Sequence, residues 1–99
     1  MKLGLLVRIE AKPEHAEEVA TMLADATKVA EQEAFSVNWY AYRLDETTFG
    51  VFDTFADEEG RTSHLNGQIA AALADAAKRK LIEPADIRPL DLLGVKVQG

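Results

Sequence analysis

Residues 35–65 read FSVNWYAYRLDETTFGVFDTFADEEGRTSHL, and this stretch decides the fold. Two runs rich in aromatic and β-branched residues, 35–44 and 48–55, meet at the turn-forming Asp-Glu-Thr-Thr of 45–48, so they read as a β-hairpin. Asp57 is then a suitable N-cap, with Glu58 and Glu59 in the first turn of a helix that carries Leu65, Ile69, Ala72, Leu73 and Ala76 on one stripe. Gly60 and Gly67 weaken the first half of that helix, which predicts a late start or a bend.

Upstream of the hairpin, Leu3, Leu5, Val7 and Ile9 alternate at period two and predict a strand with one strongly apolar side. Pro13 at a first helical position and Glu14, Glu17 and Glu18 behind it open a helix over about 13–31. Its buried face is the stripe Ala16, Val19, Leu23, Ala26 and Ala30. Downstream, the prolines of 83–90 predict a linker, and 91–97 a last strand. The order β-α-β-β-α-β is the split βαβ arrangement of α+β ferredoxin-like folds. Its four strands form an antiparallel sheet, and at 99 residues the chain is expected to make one domain, 1–99.

Hydrophobic residues at 47% and charged residues at 28% place the chain among ordinary globular proteins. A formal charge of −6 repels phosphate backbones and anionic lipids, so neither nucleic acid nor membrane is an expected partner. With no cysteine there is no disulfide, no thiolate nucleophile and no Cys-ligated metal. The segment 1–11 is too short and too charged for a leader or a membrane span, which makes the cytoplasm the expected location. His15 and His64 lack metal-ligand spacing, and no GxGxxG, Walker or GxSxG pattern occurs; no metal or cofactor is expected.

Apolar residues occur on both faces of the strands, Leu6 against Leu3, Leu5, Val7 and Ile9, and Leu92 against Leu93, Val95 and Val97. Helices cover only one face, so a homodimer is expected to bury the other. If the hairpin loop is residues 45–48, Leu44 faces Phe49, and one face gathers Asn38, Tyr40, Tyr42 and Asp53. The opposite face then holds Trp39, Ala41, Phe52 and Thr54. Asp53, set among aromatic side chains, is a candidate base for a phenol or enol, or else a structural hydrogen-bond acceptor. His64 is a candidate base or anion ligand, or else a helix residue bonded to the sheet.

The spacing of NWYAYR (38–43), the hairpin, FGVFDTFADEEGRTSHL (49–65) and the closing IEPADIRPLDLLGVKV (82–97) resembles the antibiotic biosynthesis monooxygenase superfamily. The resemblance spans nearly the whole chain. It implies a homodimeric α+β barrel with a pocket between sheet and helices in each subunit. Some members oxygenate phenolic or quinol-like compounds without metal or flavin; others degrade haem, isomerise sugars or have no known activity.

By the same resemblance Asp53 and His64 stand where relatives carry a strand glutamate and a helix histidine, as catalytic candidates. Asn38, Tyr42 and Trp39 become substrate-binding candidates, with Trp39 on the opposite face from Asn38, and Tyr40 joins them from its place between Asn38 and Tyr42 on the strand. The expected function is a cofactor-independent monooxygenase acting on a small phenolic, quinol or enolisable substrate. The alternative is a non-catalytic dimeric binding or stress-response module of the same fold. Asp53 or His64 reaching a cavity that holds an aromatic ring favours the enzyme; a closed pocket without a titratable group favours the module.

Overall fold

A computed structural model describes residues 3–34 and 36–96. Strand β1, Leu3–Glu10, leads through a 3-10 turn at Pro13–His15 into helix α1, Ala16–Glu31. The hairpin is β2, Ser36–Arg43, and β3, Thr48–Phe55; helices α2, Glu58–Leu65, and α3, Gln68–Ala77, precede β4, Asp86–Asp91. The sheet runs β2-β3-β1-β4 with every neighbouring pair antiparallel. This is the expected α+β ferredoxin-like topology.

Odd-numbered residues of β1 and β3 face the helices, where Leu5, Val7, Ile9, Phe49, Val51 and Phe55 are buried. Val19 and Leu23 of α1 and Ile69, Leu73 and Ala76 of α3 close over them. Each fully buried side chain of this size contributes about 1.5–3 kcal/mol of transfer free energy. The even-numbered face carries no helix, and there Leu6 is 39% and Tyr40 55% exposed.

Three local expectations change. The helix after β3 is broken rather than bent: α2 ends at Leu65, Gly67 caps α3, and Leu65 itself is exposed instead of joining the core stripe. The Asp57 cap forms as expected, its Oδ1 accepting from the Gly60 amide at 2.8 Å. The last strand lies at 86–91, inside the expected linker, and no strand occurs over 92–96; Val97 is outside the described residues. Pro89 fits there because β4 is an edge strand, where a missing N–H can face away from the ladder.

The hairpin is also tighter by one residue. Arg43, not Leu44, faces Phe49. The side chain of Asp45 causes this, since its Oδ1 accepts from the amides of Thr47 at 3.0 Å and Thr48 at 2.8 Å and folds Thr48 into β3. A one-residue slip exchanges every cross-strand partner, so Trp39 lies opposite Asp53 and Tyr40 opposite Phe52, while a bulge between Ser36 and Asn38 absorbs the remainder.

Candidate functional site

In β3 the helix-facing row runs Phe49, Val51, Asp53, Phe55, a carboxylate in the middle of a hydrophobic stripe. Asp53 is 0% exposed. A buried charge of this kind persists only with a partner, and α2 supplies it. The break after α2 sets His64 in that helix's last turn, facing the sheet, with its ring centroid 5.4 Å from that of Phe55. His64 Nε2 stands 3.0 Å from Asp53 Oδ2, and its side chain is only 6% exposed.

The other ring nitrogen is engaged as well: Nδ1 lies 2.8 Å from Oε1 of Glu33, a side chain 9% exposed in the turn after α1. A carboxylate within 3.0 Å of each ring nitrogen is the setting of an imidazolium. Burial pushes the His64 pKa down, but Asp53 and then Glu33 outweigh it and raise it above the usual 6.5. The C-terminal end of α2 works in the same direction.

A raised folded-state pKa means that the stabilisation from this charge is fully present below about pH 6.5, the unfolded value, and is lost as pH rises through the folded value. The melting temperature should therefore fall across that interval. His64→Gln should flatten the fall, as read by calorimetry at a series of pH values; an unchanged slope would show that His64 does not carry it.

Two buried polar groups beside this pair are unsatisfied among the described residues. Trp39 Nε1 has no acceptor, and Asp53 Oδ1 has no donor, Oδ2 being the oxygen that faces His64 Nε2. Trp39 and Asp53 are direct cross-strand neighbours. A buried N–H and a buried carboxylate oxygen left open on cross-strand neighbours suit a ligand with both a hydroxyl and an acceptor oxygen.

The other sequence candidates lie elsewhere. Asp53 was expected to share a face with Asn38, Tyr40 and Tyr42, but the shorter hairpin turns those three to the helix-free face and leaves Trp39 with Asp53. Tyr40 stacks on Phe52 at 6.3 Å, and Tyr42 covers Gly50 so closely that a Cβ there would meet the ring at 2.3 Å. The Asn38 side chain donates to Thr54 Oγ1 at 3.4 Å. A cavity of about 180–220 Å³ opens on each of two stretches of β2, one bounded by Asn38, Tyr40 and Phe52, the other by Ala41, Tyr42 and Phe49.

Glu33 is absent from the sequence candidates. The signal it gives is faint: a carboxylate just beyond the negative end of α1 is disfavoured by the helix dipole unless something cationic holds it. Among the described residues no group of three or more His, Asp or Glu is arranged to hold a metal ion. No helix among them is long and apolar enough to cross a membrane.

The fold and site can be set beside known proteins. The chain is similar to NE2512, a protein of unknown function from Nitrosomonas europaea, at 47% identity over 99% of this chain and 95% of that one, with a TM-score of 0.94. The structure of an antibiotic biosynthesis monooxygenase matches at 14% identity and a TM-score of 0.78, covering 93% of this chain and 99% of that one. PA3566 from Pseudomonas aeruginosa matches at 22% identity and 0.79, covering 94% and 95%. No family model matches the chain, and neither does any curated protein.

Proposed function

This chain belongs to one family with the Nitrosomonas europaea NE2512 protein and has the fold of the antibiotic biosynthesis monooxygenases, and from that premise we propose that it is a monooxygenase-like enzyme for a small phenolic, quinol or enolisable compound. The observation that supports this reading most is the fully buried Asp53 carboxylate, held against His64, with an open oxygen and with the open indole N–H of Trp39 on its cross-strand neighbour.

Asp53 takes the proton from the substrate's hydroxyl or activated carbon. His64, flanked by a carboxylate at each ring nitrogen and with its pKa raised by them, is the charge partner rather than the base. Trp39 Nε1–H donates to the oxyanion that develops. The substrate carbanion reduces dioxygen, the peroxide anion takes back the proton held by Asp53, and loss of the carbon's remaining hydrogen as a proton breaks the O–O bond, leaving one oxygen atom in a new carbonyl and releasing the other as water. The apolar row around Asp53 keeps bulk water from quenching the carbanion. Asn38, Tyr40 and Tyr42 act from the far side of the sheet and have no part in this step.

Those three residues belong to the second half of the proposal, self-association through the helix-free face. Leu6, Tyr40 and Phe52, flanked by Leu92 and Val95, make that face apolar. A homodimer closing two sheets face to face would bury above roughly 2,000 Å² in total. Light scattering should give twice the chain mass, and Leu6→Asp, central on that face, should halve it; a wild-type protein that runs as a monomer in dilute buffer overturns the dimer.

One observation favours the alternative, a binding module without turnover. The cavity that touches His64, bounded by Leu5, Val7, Val51, Ile69 and Leu73, holds about 10 Å³, less than an aromatic ring needs. Dioxygen uptake with hydroquinone and naphthol probes separates the two readings: turnover supports the enzyme, and saturable binding without uptake supports the module.

A further inference from the structure

On the side of the small cavity the pair Asp53–His64 is backed by walls that besides His64 are all apolar, and Phe55 covers the ring from the sheet. An apolar wall offers no group that can relay a proton to water. Among the described residues the polar way out runs the other way, through Nδ1 to Glu33. Glu33 also lines a cleft of about 480 Å³ with Lys28, Gln32, Ser63, Gly67 and Gln68. Of the three linked groups it is the most exposed, with Asp53 at 0%, His64 at 6% and Glu33 at 9%.

The geometry points to Glu33 as the proton outlet of the buried pair, linking His64 to water in the cleft between the end of α1 and the α2–α3 junction. In the step itself the Nδ1–H bond of His64 breaks, its electron pair stays on the ring, and an O–H bond forms on Glu33 Oε1. Glu33 then passes that proton to cleft water, and the reverse sequence reloads the ring. Three titratable groups bear on the path: Asp53 from β3, Glu33 from the turn after α1, and Lys28 from α1 at the cleft. Gln68 is the polar residue that α3 adds. Glycine at 67 suits the crowding there, since a Cβ would sit 3.3 Å from Glu33 Oε2 and 3.2 Å from the His64 carbonyl oxygen.

The purpose of the outlet rests on the reading of Asp53 as a base, because it lets His64 shed its Nδ1 proton while Asp53 is protonated and regain it once Asp53 has returned its proton to the peroxide. Its test does not. In ¹⁵N-labelled protein without substrate, NMR follows exchange of the His64 Nδ1 proton with water, with Nε2 as the internal reference. Glu33→Gln keeps an acceptor oxygen for Nδ1 but cannot take its proton, so exchange at Nδ1 should slow by roughly 10²-fold. Added acetate, small enough for the cleft, should restore part of the rate.

Unchanged exchange in Glu33→Gln overturns the outlet. So does an equal slowing in Lys28→Gln, which would mean that the cleft's shape and not the carboxylate controls access. Either failure leaves the role of Asp53 standing, and full turnover in Asp53→Asn would remove that role without touching the exchange result.

Discussion

Replacing His64 by alanine is expected to lower the unfolding free energy by about 3–5 kcal/mol, because it strands a fully buried carboxylate without its cation. In a domain of this size that corresponds to a melting temperature roughly 15–30 °C lower. Most of the loss is the penalty of the orphaned charge rather than the worth of the contact. Asp53→Asn in the His64→Ala background should therefore recover part of it, and a double-mutant cycle should give a coupling well outside additivity. Calorimetry on the four proteins reads this directly. Should His64→Ala cost less than about 1 kcal/mol, the residues do not form a mutually dependent pair.

Asp53→Asn carries the largest functional expectation. Asparagine keeps the shape and the side-chain oxygen while removing the proton acceptor, so turnover of a hydroquinone probe, followed by dioxygen uptake, should fall by roughly 10²–10⁴-fold. Oligomeric state should not change, because position 53 faces the helices and not the open face. His64→Gln tests a different role. As charge partner it should reduce turnover less than Asp53→Asn and shift the pH profile. Full activity in Asp53→Asn with a lowered melting temperature would make the carboxylate architectural and favour the binding module.

The features legible in the sequence are those fixed by local chemistry. Alternation in Leu3-Leu5-Val7-Ile9, the N1 proline at 13 and the Asp57 cap each depend on a few adjacent residues, and together they gave the ferredoxin-like order. Alternation within a strand held too, since Asn38, Tyr40 and Tyr42 share one face and Trp39 and Ala41 the other. Which of these faces Asp53 joins depends on the hairpin's length, and that was decided by one side chain, Asp45, capping two amides.

The edge strand was missed because Pro89 weighs against a strand in sequence, whereas its cost vanishes at an edge. Glu33 was missed for a different reason. Its partner lies 31 residues away, and nothing in the residues between announces that the chain will bring an α1-terminal carboxylate against an α2-terminal imidazole. Asp53 and His64 each stand out in the sequence, yet their direct contact and the upward shift it gives the imidazole arise only from packing.

The proposed chemistry takes place on the helix side of the sheet, at Asp53, and not against the tyrosines. A crystal structure of the protein with 1-naphthol bound tests it most directly. The naphthol hydroxyl is expected within hydrogen-bonding distance of Asp53 Oδ1, with the indole N–H of Trp39 turned to the hydroxyl oxygen. A naphthol ring seated instead on the open face, against Tyr40 and Phe52, with Asp53 and Trp39 untouched, would contradict it.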